Sequence, residues 1–173
     1  MGPTTINGLP AHPMLVHFVA VLVPVAALML LLSVFWPAAR RRLGIITPLI
    51  ALVTLILVPL TTHAGEWLEH RTERDPLVRA HAQIGDQLLY WSFGVFVVAA
   101  VWWLVHDDRT TAWLAARAHR VNAVAAGRAA TITLTAIALV LAVGSVIQDY
   151  RIGESGAKAV WHDQAQVPTA TNR

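Results

Sequence analysis

Met14–Trp36 reads MLVHFVAVLVPVAALMLLLSVFW, and this stretch decides the fold class. Its one ionisable side chain is His17. At about 1.5 Å per residue, a helix of this length crosses the roughly 30 Å hydrocarbon core of a bilayer. Three further apolar runs follow, from Leu43 to about Thr62, from about Ile84 to Val105, and from about Ala129 to Ile147. Pro48 and Pro59 sit near the two ends of the second run. In lipid every backbone N–H and C=O must be paired within its own segment, so runs this long are helices even where they are rich in valine. The expectation is an all-α integral membrane four-helix bundle. It forms a single transmembrane domain over residues 1–173, with spans of about 14–36, 43–62, 84–105 and 129–147 and a polar outer tail over 150–173. The first run has no basic residues before it and is too long for a signal-peptide core, so it reads as an anchor that stays.

Composition agrees with that reading. Hydrophobic residues make up 56% of the 173 and charged residues 13%, against roughly 25% charged in a soluble domain. The charges cluster in short blocks between the apolar runs. The absence of cysteine excludes disulfides, thiolate-held iron–sulfur clusters and covalently attached haem of the Cys-x-x-Cys-His type. The net charge is only +3, and the arginines flank the spans, so topology explains the basic pI and no nucleic-acid partner is expected.

Arginine placement also suggests an orientation. Arg40, Arg41 and Arg42 abut the first span, and Arg109, Arg117, Arg120 and Arg128 lie between the third and fourth. Basic residues favour the cytoplasmic side, so both termini are expected outside, in a bacterial plasma membrane. Between Thr110 and Arg128, Trp113, Leu114, Ala118, Val121 and Val124 recur at helical spacing. They suggest a short interfacial helix on the cytoplasmic leaflet, level with an aromatic belt of Trp36, Trp102 and Trp103.

This topology gathers the polar residues at one face. His12, His17, His63, Glu66, His70, His81, Asp86 and Asp149 fall at its outer end, whereas His106 and His119 fall at the other. Ionisable groups inside a membrane are costly and usually mark a functional site. Two chemistries suit the residues. A b-type haem needs neutral imidazoles from different helices, flat space and cations for its propionates. His17, His63 and His81 would supply the ligands, with His12 next. Gly65, Gly85, Ala64 and Ala82 are small neighbours, Gly85 leaving room beside His81, and Arg71, Arg74 and Arg79 are the nearby cations. Alternatively, His63, Glu66 and His70 form one helical stripe at i, i+3 and i+7. With His81, and His17 at similar depth, that stripe could hold a copper, zinc or iron ion. Between His12 and His17 the angle is about 140°, so the two cannot point at one spot; His17 is expected to be the deeper. The ordinary alternative for each histidine is a cap, a snorkelling side chain or an interhelical hydrogen bond. A third possibility is a structural or assembly subunit that carries no cofactor.

The opening His12-Pro13-Met14-Leu15-Val16-His17-Phe18 resembles the His-Pro-x-x-Val-His-Phe motif of a bacterial family of predicted four-helix membrane proteins of unknown function. Thr62-His63-Ala64-Gly65-Glu66, the segment His81–Asp86 and the close Gly153–Trp161 are similar to that family as well. Val19 stands where family members usually have proline, and Ser155 and Ala157 flank Gly156 in the close. The family is itself similar to the two-haem membrane cytochromes b, and relatives are fused to Rieske or c-type cytochrome modules. The resemblance implies one or two haem b groups on His12, His17, His63 and His81, and electron transfer at the outer face with a redox protein or quinone as partner.

Overall fold

The computed structural model describes residues 4–71, 75–108, 110–112 and 127–165. The chain opens with a hairpin of β1 (Thr5–Ile6) and β2 (Leu9–Pro10), paired Thr5 to Pro10 and Ile6 to Leu9. Asn7 and Gly8 make the turn, both at positive φ (51° and 79°), the conformation for which Asn-Gly is favoured in two-residue hairpins. The helices of the described residues that carry the fold are α1 (Ala11–Phe35), α2 (Pro37–Leu43), α3 (Ile46–Glu69), α4 (Pro76–Gly85), α5 (Leu88–His106) and α6 (Arg128–Ala165). Among the described residues four helical stretches are long and apolar enough to cross a membrane: α1, α3, α4 with α5, and α6. The all-α membrane bundle expected from the sequence is therefore present.

Each long helix packs on two neighbours in the cyclic order α1, α3, α5, α6. Small residues line the interior, with Ala26, Ala51, Ala99, Ala138 and Ala142 all buried, while large apolar side chains such as Leu28, Ile56, Ile132 and Val140 point outward. In lipid this inversion is ordinary: small residues let helices approach, and outward leucines meet acyl chains. A Cβ on Gly94 would stand 2.8 Å from Leu141, and one on Gly144 would overlap the ring of Trp91, so α5 and α6 meet at these glycines. The core forms two apolar clusters, one around Leu30, Val95 and Ala99, the other around Val19, Val58 and Leu88.

The helices outrun the apolar spans at one end. α3 continues through Pro59 to Glu69, and α6 continues past Ile147 to Ala165. Against this projecting part of α6 packs α4, which begins at Asp75, whose carboxylate accepts from the Leu77 amide at 2.7 Å, and Pro76, two ordinary helix-start residues. The joint between α4 and α5 stays in right-handed helical conformation at Asp86 and Gln87. There the backbone tightens, Gln87 N bonding Ile84 O at 3.3 Å. Gln148 of α6 also donates to that Ile84 carbonyl, at 2.9 Å. Thr110–Ala112 are helical, while most of the expected interfacial helix, with Trp113 to Val124, lies outside the described residues. Trp102 is not a belt residue. It is buried, and its indole N–H donates to the Ser33 carbonyl of α1 at 3.1 Å.

Candidate functional site

The hairpin and α1 together place His12. Ala11, fully buried, donates its amide to Thr4 O at 3.0 Å, so α1 begins with His12 facing α3. There the His12 Nδ1–H donates to the Thr61 carbonyl at 2.9 Å. Gly65, one turn on, carries no side chain against the ring; a Cβ would lie 2.9 Å from two of its atoms.

His81 reaches the same place from α4. Its Nδ1 lies 2.9 Å from the Ser155 hydroxyl of α6, and that hydroxyl donates its own hydrogen to the Ile152 carbonyl at 2.8 Å. The ring rests on Gly156, where a Cβ would lie 3.1 Å from it. Centroids of the His12 and His81 rings stand 6.2 Å apart, with planes crossed at 77°.

These contacts fix both tautomers. A carbonyl oxygen only accepts, so the His12 hydrogen is on Nδ1. The Ser155 oxygen has spent its hydrogen on Ile152, so it too accepts from Nδ1. With the hydrogens placed so, Nε2 is the lone-pair nitrogen of each ring in its neutral form. This is the usual arrangement of a metal-binding histidine, whose other ring N–H is held by a carbonyl or similar acceptor.

The remaining candidates are placed differently. His17 is exposed on α1, and its ring bonds Pro13 O of its own helix; it lies further along the span, but the burial is the reverse of that expected, with His12 the more enclosed. His63 lies 3.9 Å from Glu66, both side chains about half exposed. His70 is the exposed C-cap of α3. Among the described residues no three histidine, aspartate or glutamate side chains converge, so His63, Glu66, His70 and His81 are not gathered into one stripe-based site. Arg79 is exposed on α4. Arg71 stacks its guanidinium 4.1 Å above the Trp67 ring, and Arg74 lies outside the described residues. A Cβ on Gly85 would meet nothing within 4 Å, so the glycines that accommodate the imidazoles are Gly65 and Gly156. Asp86 is exposed, and Asp149 is half-buried beside Gln148.

At the opposite end His106 stacks on Trp102 at 4.1 Å and donates to the Trp102 carbonyl at 3.0 Å, a structural role, while His119 lies outside the described residues. Sequence reasoning missed Thr61, Gln148 and Ser155. Their signals were slight: a threonine repeated at seven-residue spacing (Thr47, Thr54, Thr61), a glutamine at the end of the last apolar run, and a serine next to Gly156.

No curated protein and no solved structure matches the chain. Residues 8–169 match the model of a family described as predicted membrane protein, DUF2231. With four apolar helices arranged as described and nearly the whole chain covered, the protein belongs to the DUF2231 family of membrane proteins.

Proposed function

We propose that the protein is a membrane haem b-binding electron-transfer protein, with His12 and His81 as the iron ligands at the outer face of a bacterial plasma membrane. The observation that carries this reading is the pair itself. Two imidazoles from different helices, each with Nε2 as its lone-pair nitrogen, have ring centres 6.2 Å apart. Metal–nitrogen bonds of about 2 Å on both sides of one metal ion put two such ring centres roughly 6 Å apart. That spacing would let His12 and His81 hold one haem iron between them. Bound haem supplies a one-electron couple; the chain's own part is to hold the two rings and set their basicity. Thr61 O and the Ser155 hydroxyl do so by accepting from Nδ1, which makes Nε2 a stronger donor. Exposed Arg79 is one of the cations at this end that propionates could meet.

The outer placement rests on the sequence alone, in which seven arginines fall in the connections between the first and second and between the third and fourth apolar runs. The resemblance of the family to two-haem cytochromes b favours the same reading, with one histidine pair here supporting one haem. A redox protein or quinone would be the electron partner.

The test is the visible spectrum of protein purified in detergent from haem-supplemented cells, oxidised and then reduced with dithionite. A sharp reduced α-band and about one haem per chain are expected. His12→Ala and His81→Ala should each abolish the band, while His17→Ala and His63→Ala keep it. A blank spectrum from the unaltered protein would sink the haem reading. Elemental analysis of the same sample then shows whether the pair holds a non-haem metal instead.

A further inference from the structure

Away from the histidines, a small and largely apolar chamber lies between the two apolar clusters of the core. Thr54 of α3, Ser92 of α5 and Ser145 of α6 line it together with Val23, Ala26 and Ala51. All three hydroxyl residues are buried, at 3%, 4% and 1% exposure respectively. The chamber lies about two helical turns below Thr61, well inside the apolar spans.

The hydroxyl hydrogens are distributed unevenly. Thr54 donates to the Ile50 carbonyl at 2.8 Å, and Ser145 donates to the Ala142 carbonyl at 2.9 Å. Each of these oxygens keeps lone pairs and has no hydrogen left to give. Ser92 Oγ has no hydrogen-bond partner among the described residues, although buried hydroxyls are rarely left alone. Its hydrogen is free. The lining therefore offers two acceptors and one donor, from three helices.

We infer that Thr54, Ser92 and Ser145 bind one buried water molecule, which joins α3, α5 and α6 in the middle of the bundle. Water answers the lining atom for atom: it accepts from Ser92 and donates to Thr54 and Ser145. Three hydrogen bonds are the usual number for a buried water. The cavity measures about 10 Å³, on the scale of the roughly 10–15 Å³ that one water needs. A sodium ion is the poorer match, because three hydroxyls fall short of the oxygen shell that hard cations take.

The experiment turns on a sign. Without a water, Ser92→Ala removes an unsatisfied hydroxyl, and the thermal midpoint in detergent should rise or stay put. With one, the same change strands the water, and the midpoint should fall by several degrees. Thr54→Val or Ser145→Ala added to Ser92→Ala should then cost less than it costs alone, because the shared bridge is already gone. An unchanged or raised midpoint in Ser92→Ala, or strictly additive losses, would overturn the inference. A measurement on the unaltered chain stands beside this, should a variant fail to fold. Solid-state NMR of deuterated protein in liposomes should show magnetisation transfer from a long-lived water to the Ser92 amide, and its absence would refute the site. Replacing sodium by choline should leave the midpoint unchanged; a loss on sodium removal would assign the chamber to a cation instead.

Discussion

Gly65 shows how much of the histidine pair depends on one missing atom group. An alanine there would press its Cβ to 2.9 Å from the His12 ring, closer than carbon packs, while leaving every donor nitrogen in the chain. Gly65→Ala is therefore expected to lower the haem-to-chain ratio without removing a ligand, measured by pyridine haemochrome. Gly85→Ala is the matched control, since nothing stands within 4 Å of its Cβ. It should leave the haem-to-chain ratio unchanged and, by lowering the conformational entropy of the unfolded chain, stabilise by about 0.5–1 kcal/mol. The sequence singled out Gly85 because it lies one turn from His81, and spacing along one helix is all that sequence displays. Gly65 and Gly156 matter through rings that belong to other helices. The same limit explains His17. Its angular separation from His12 was legible, but α1 is apolar all round, so periodicity does not say which side faces the bundle. The hairpin and the Thr61 carbonyl decide it for His12.

Among the elements, the apolar spans were readable because the bilayer sets their length. Helix ends beyond the hydrocarbon were not, because protein packing sets them. Both α4 and the last part of α6 owe their contact to Gln148, Ser155 and Gly156, and hydropathy is silent about such residues. At the other end, Trp102 links α5 to α1 through the Ser33 carbonyl, and the Ser33 hydroxyl lies 3.2 Å from that of Thr47 on α3. Trp102→Phe should lower stability by about 0.6 kcal/mol, the average for interhelical hydrogen bonds in membranes, and by no more than about 1.7 kcal/mol, read from unfolding in mixed detergent micelles. Haem content should be unaffected, because the histidine pair is at the opposite end. At Gly144 the chain has no room to spare beside Trp91. Gly144→Ala should cost about 1–3 kcal/mol by overpacking, and an unchanged midpoint would mean that α5 and α6 are farther apart than described.

For the molecule as a whole, orientation is open to a clean test, because the chain contains no cysteine to interfere. Trp161 and Arg42 are both exposed and lie toward opposite ends. In intact spheroplasts a membrane-impermeant maleimide should label Trp161→Cys and spare Arg42→Cys; the reverse pattern would invert the topology and put the histidines inside. The bundle was legible from composition and apolar run length alone. The pair was legible only as a crowd of histidines at one end, because choosing two of them requires knowing which helices touch. One feature ties the two levels together. α6 has 38 residues, about 57 Å at 1.5 Å per residue, and carries both the deep Ser145 and the Ser155 that holds His81. His12 answers to α3 instead. The gap between the imidazoles thus works as a gauge of α6's axial register. A slide of one residue, about 1.5 Å, changes the gap by up to a similar amount, so a push on the projecting end of α6 would reset the distance between the two imidazoles.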